Sequence, residues 1–178
     1  MAADRQNGLI TLGEALYKVL PLIDQFGATP IMPELEVLKR AGLIMAMTAW
    51  ETYVEDRLVE ASAERLASLT DKSIADFVEA KLADEIRRLH NPASQKTIEL
   101  FRDYADVDLK GSWTWNHFDE KAVRGALDRY MKLRGDVVHR SRAGFTDAPK
   151  THPVKKVDLE KVISFLKNLV NATESAFR

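Results

Sequence analysis

Arg134 and His139 lie five positions apart in Arg134-Gly135-Asp136-Val137-Val138-His139, just ahead of a polar stretch. An arginine offers phosphate a planar, permanently charged fork. A histidine moves protons near neutral pH. The two together are the minimum needed to cut a phosphodiester of RNA without a metal. The same spacing also suits a surface arginine and a histidine that merely ends a helix. At about 100° per residue, five positions turn the two side chains ~140° apart, so one helix cannot aim both at one point. A two-fold dimer can, by laying two copies of the helix side by side so that two arginines and two histidines converge. A helix C-terminus also favours the imidazolium form of His139, and a nearby phosphate would favour it further.

Charge is unevenly spread around this pair. The chain of 178 residues has a net charge of −1, but residues 121–178 hold 13 Lys and Arg against 6 Asp and Glu, a balance of +7. The basic set includes Arg124, Arg129, Lys132, Arg140, Arg142, Lys150, Lys155 and Lys156. Such a field suits a phosphate-bearing partner. It also suits pairing with the acidic first 120 residues, within the fold or across a dimer. Lys132, Arg140 and Arg142 are the nearest candidates for RNA contacts, and Asp136 is a candidate to orient Arg134 or His139.

Other chemistries are poorly served. Cysteine is absent, which excludes disulfides, thiolate metal sites and cysteine nucleophiles. His90, His117, His139 and His152 are scattered, and none pairs with another at helical spacing. Asp103, Asp106 and Asp108 begin like a calcium loop but lack its glycine and closing glutamate. No phosphate-cradling glycine loop or nucleophile elbow is present. No metal and no cofactor is expected. The polar start Met1–Gly8 has no leader pattern, and no apolar run approaches the ~20 residues that span a bilayer, so a cytoplasmic protein is expected.

The elements that must position the pair are helical. Leu9, Leu12, Leu16, Val19 and Ile23 repeat at helical steps, with Pro21 as a kink. A long helix is expected from about Glu34 to Ser68, with Leu43, Met47, Trp50, Val54, Leu58 and Ala61 inward. A third should start after Ser73, with Asp76 completing a capping box, and end at Asn91-Pro92. A short helix from about Ser94 to Tyr104 precedes a loop with Trp113 and Trp115, which either stack on bases or, as expected here, pin the loop to the core. A helix from about Asp119 to Arg140 should turn Ala122, Val123, Ala126, Leu127, Tyr130 and Leu133 inward. After a polar loop, Ser141 to Lys156, the last helix should start at Asp158 as N-cap. The expectation is a single all-α domain over residues 1–178, a bundle of five or six helices.

An arginine and histidine so spaced at the end of a late helix, followed by a polar loop and a final amphipathic helix, resemble the HEPN superfamily. Ala49-Trp50-Glu51-Thr52-Tyr53-Val54-Glu55 on a long helix, then Asn91-Pro92 before a short one, resemble its RiboL-PSP-HEPN subgroup. The resemblance implies a dimeric, metal-independent endoribonuclease of the kind placed in toxin–antitoxin or antiviral systems. It implies Arg134 and His139 as the catalytic pair, RNA (tRNA or mRNA) as substrate, and a cognate antitoxin as a partner. One departure stands out: such proteins commonly have Asn or Asp directly after the arginine, where this chain has Gly135, with Asp136 next. Some members of the superfamily bind RNA or a partner protein without cutting, which is the alternative reading.

Overall fold

The computed structural model describes residues 33–140 and 154–178, and side chains at 37–138 and 154–178. The expected helix around Leu9–Ile23 and most of the 141–156 loop lie outside the described residues. Among the described residues five α-helices run in the order α1 (Pro33–Leu66), α2 (Lys72–Arg87), α3 (Ser94–Leu100), α4 (Glu120–Arg140) and α5 (Lys156–Ser175). Among the described residues there is no strand, only one isolated bridge between Trp115 and Phe118.

Helix α1 is the axis, packing against α2, α4 and α5 and the turn after α3. Pro33 opens it, where a missing N–H costs nothing. Leu43, Met47, Trp50, Val54, Leu58 and Ala61 are all buried, as their spacing predicts. Gly42 faces α5 so closely that an added Cβ would stand 2.9 Å from Leu159 Cδ2.

Helix α2 departs from expectation at its start. Asp71 is the N-cap, its Oδ1 accepting from the backbone N–H groups of Ser73 and Ile74 at 2.9 and 3.4 Å. A bond from the Ser73 hydroxyl at 2.7 Å, with those two backbone bonds, holds its carboxyl below the usual range. Asp76 pairs with Lys72 one turn back instead of closing a box with Ser73. An aspartate just ahead of the serine offers the better acceptor, and it wins.

The expected Ser94–Tyr104 helix divides into α3 and a π-helical turn, Phe101–Ala105, closed by Asp106 in the left-handed region at φ 56°. Helix α3 has Ala93 at its N-cap, which cannot cap. Asp128 on α4 does so instead: Oδ1 accepts from Ser94 N–H at 2.8 Å and Oδ2 from the Ser94 hydroxyl at 2.9 Å.

The loop to α4 is anchored by its tryptophans. Trp113 is fully buried and donates to Thr173 Oγ1 at 3.0 Å. Trp115 is half-buried, its ring centroid 5.4 Å from Phe118 and 5.6 Å from Phe165. Both pack, as expected. Asp119 caps α4 by accepting from Ala122 N–H at 2.7 Å. Val123, Ala126, Leu127, Met131 and Val137 face the core, and Tyr130 and Leu133 are half-buried against it. Ala122 is exposed, contrary to its expected inward role, because its neighbour Val123 takes the core-facing place in that turn.

Helix α5 starts earlier than expected, with Lys155 at the N-cap position and Asp158 inside the first turn. Asp158 still works at that end, its Oδ2 accepting from Lys155 N–H at 3.3 Å. The α5 face Leu159, Val162, Ile163, Leu166, Leu169 and Val170 is buried as spaced. No helix among the described residues is long and apolar enough to cross a membrane.

Candidate phosphate-binding site at the end of α4

The site is built outward from Trp50. Its indole is fully buried, and Nε1 donates to the Pro92 carbonyl at 3.2 Å. The Thr97 hydroxyl donates to the same carbonyl at 3.2 Å. With Asp128 fixing Ser94, the short connection His90-Asn91-Pro92 is tied to α1, α3 and α4 at once.

Arg134 reaches that connection from α4. Its Nη1 lies 3.0 Å from Glu51 Oε2 and donates to Asn91 Oδ1 and the His90 carbonyl, each at 3.2 Å. The side chains of Arg134 and Glu51 are 20% and 14% exposed, so the pair is partly shielded from water. Partial shielding strengthens a charge-assisted bond over its fully exposed counterpart. Among the described residues, every hydrogen bond and ion pair of Arg134 runs through Nη1. Nε and Nη2 make no bond to the described residues, which offers them as donors for an anion.

Glu51 lies one residue beyond Trp50, so the helix that buries the indole turns this carboxylate to the rim of the core. Glu55, one turn on, is half-buried beside it. Burial pushes the Glu55 carboxyl above its ordinary range, and the charges of Glu51 and Asp56 push it further, while His90 opposes them. Thus His90 joins the cluster through its carbonyl to Arg134 and its charge to Glu55.

The other sequence candidates are placed as follows. Asp136 is half-buried two residues after Arg134, and no hydrogen bond links the two. Lys132 is exposed on α4. His139 and Arg140 belong to the last turn of α4, and their side chains lie outside the described residues. Arg142 lies outside them altogether. Gly135 is accommodated without a break in the helix, and an added Cβ there would meet nothing within 4 Å. No group of three or more potential metal ligands occurs among the described residues.

Sequence reading singled out Glu51 and Asn91 only as parts of quoted motifs and gave them no role. The usable signal was two acids one turn apart on the rim of a buried helix stripe, in a chain whose basic residues gather on a later helix.

An all-helical protein with an arginine clamped near the end of a late helix, against a Trp-Glu helix and an Asn-Pro turn, has the frame of a HEPN domain. The family model described as RiboL-PSP-HEPN matches residues 15–178, and the chain belongs to that family. Comparison with curated proteins and with solved structures finds no match.

Proposed function

We propose that this protein is a metal-independent endoribonuclease that works as a homodimer, in the manner of a toxin or defence RNase, on tRNA or mRNA in the cytoplasm. The observation that supports it best is the state of Arg134: among the described residues it is fixed through one nitrogen, and Nε and Nη2 are left to meet a phosphate. Membership of the HEPN family adds weight to an RNA substrate. In this reading residues 1–178 act as one domain.

In the reaction, a ribose 2′-oxygen gives its proton to a general base and attacks the adjacent phosphorus. The P–O5′ bond breaks, and the leaving oxygen takes a proton from a general acid. The products are a 2′,3′-cyclic phosphate and a 5′-hydroxyl. His139 supplies base or acid, an effect worth roughly 10²–10⁴-fold in rate. The ~140° between Arg134 and His139 around α4 calls for a second copy of the helix, so that two subunits complete one site. Arg134 neutralises charge on the phosphorane-like transition state. Asp136 assists in orienting the pair, and Lys132, Arg140 and Arg142 contact the RNA backbone. A cognate antitoxin is the protein partner this reading calls for.

The test is a time course on total RNA and purified tRNA, with and without EDTA, with product ends identified. Cleavage that survives EDTA, leaves cyclic phosphate and disappears in His139→Ala is expected. Cleavage persisting in His139→Ala would put the chemistry elsewhere. A parent protein that binds RNA without cutting would favour a non-catalytic module.

A further inference from the structure

We infer that Glu51 is a positioning residue for Arg134, setting both the direction of its guanidinium and how much of its charge reaches a bound phosphodiester. The inference rests on the nuclease reading for its catalytic half and on phosphate binding alone for the other.

The geometry is specific. Glu51 Oε2, Asn91 Oδ1 and the His90 carbonyl oxygen gather on the single atom Nη1 of Arg134, at 3.0, 3.2 and 3.2 Å. Three acceptors on one terminal nitrogen fix the plane of a rigid fork, and its other donors are unspent among the described residues. A carboxylate facing both Nη groups would have occupied the edge that a phosphate needs. Two of the residues that carry these acceptors flank a fixed point of the core. Glu51 follows the buried Trp50 on α1, and Asn91 precedes Pro92, whose carbonyl takes the Trp50 indole N–H.

The same carboxylate also weakens the grip on an anion. Glu51 and a phosphate compete for the charge of Arg134, with Glu55 one turn away adding a further acid to the rim. Glu51 therefore trades ground-state affinity for orientation. Interactions that orient without tightening the ground state favour turnover over binding.

This trade gives opposite signs in two measurements, which a residue that only supported the fold would not. Glu51→Gln keeps the shape and removes the charge. Its kcat for RNA should drop, by up to ~10²-fold if the guanidinium swings by an ångström. Its affinity for 2′-O-methyl RNA, which cannot be cut, should rise severalfold, and the rise should vanish in Glu51→Gln/Arg134→Ala. Glu51→Asp, which keeps charge on a shorter arm, should lose kcat without the gain in affinity. Circular dichroism and melting temperature check that each variant folds. If Glu51→Gln does not fold, Glu51→Asp and Asn91→Ala decide: the second removes one of the three acceptors on the same Nη1 without changing charge, so kcat should fall at unchanged affinity. Loss of both kcat and affinity, or change in neither, overturns the inference. A parent protein that binds 2′-O-methyl RNA but cuts no RNA sinks the nuclease reading alone, and the affinity comparison then decides Glu51. A parent protein that neither cuts nor binds ends both.

Discussion

Trp50 and Pro92 are 42 residues apart in sequence, yet the Trp50 indole N–H donates to the Pro92 carbonyl at 3.2 Å inside the core. That bond couples the packing of α1 to the placement of Arg134, because Glu51 and Asn91, the immediate neighbours of this pair, both hold the arginine. Trp50→Ala should cost about 3–5 kcal/mol, the usual penalty for emptying a fully buried tryptophan site. Trp50→Phe separates packing from the hydrogen bond. Pro92 O still has the Thr97 hydroxyl at 3.2 Å, a donor it shares with the Ala93 carbonyl at 3.0 Å, so the acceptor is not left alone and the loss should be smaller. Cleavage should fall more than melting temperature suggests. Thermal melts of both variants beside their RNase rates test this, and an unchanged rate in Trp50→Phe would break the coupling.

Arg134→Lys should keep part of RNA binding and little of the turnover. A lysine carries the charge but cannot bond Asn91 and the His90 carbonyl while presenting a planar edge to phosphate. Arg134→Ala should lose both, and it leaves Glu51 and Glu55 facing an anion with no cation between. Full activity in Arg134→Lys would show that only charge is needed.

Gly135 tests whether the missing polar residue matters. A side chain at this helical position meets open space. Gly135→Ala should stabilise the fold by roughly 0.5–1 kcal/mol, through helix propensity alone. Gly135→Asn places an amide beside Arg134 and should raise the cleavage rate above that of Gly135→Ala. Equal rates in the two variants would show that the position contributes no polar contact to the site.

Glu55 gives a pH signature. Its folded pKa lies above the unfolded value, through burial first and the charges of Glu51 and Asp56 next, with His90 opposing. The folded state then holds the proton more tightly, so the strain of its ionised form is absent at low pH and grows as pH rises past its ordinary value. Glu55→Gln should raise the melting temperature at pH 7 and lose that advantage by about pH 3, where both states are protonated. An equal gain at both pH values would trace the effect to something other than titration.

The helices were legible because their apolar spacing is strong: Leu43 to Ala61 on α1 and Leu159 to Val170 on α5 are buried as the pattern demands. Helix starts were less so. At Asp71 and Lys155 the choice among neighbouring polar residues depends on local geometry that one-dimensional spacing does not carry. Arg134 was legible by type and place as a candidate for phosphate. Its clamp was not, since Glu51, Asn91 and Arg134 come from three separate elements, and nothing in the sequence ties their positions except the fold. The cap on α3 was hidden for the same reason, being lent by a residue 34 positions away.

That borrowed cap bears on the order in which the chain acquires structure. A helix of 7 residues without its own cap lies below the length at which helices persist alone in water. Ser94–Leu100 must therefore wait for Asp128 to arrive with α4, and the Asn91-Pro92 turn is fixed no sooner. In refolding followed by pulsed amide exchange, the amides of α3 should gain protection together with those around Asp128, well after the middle of α1. The Arg134 cluster is thus a late product of assembly, and a nascent chain lacks it until α4 has docked.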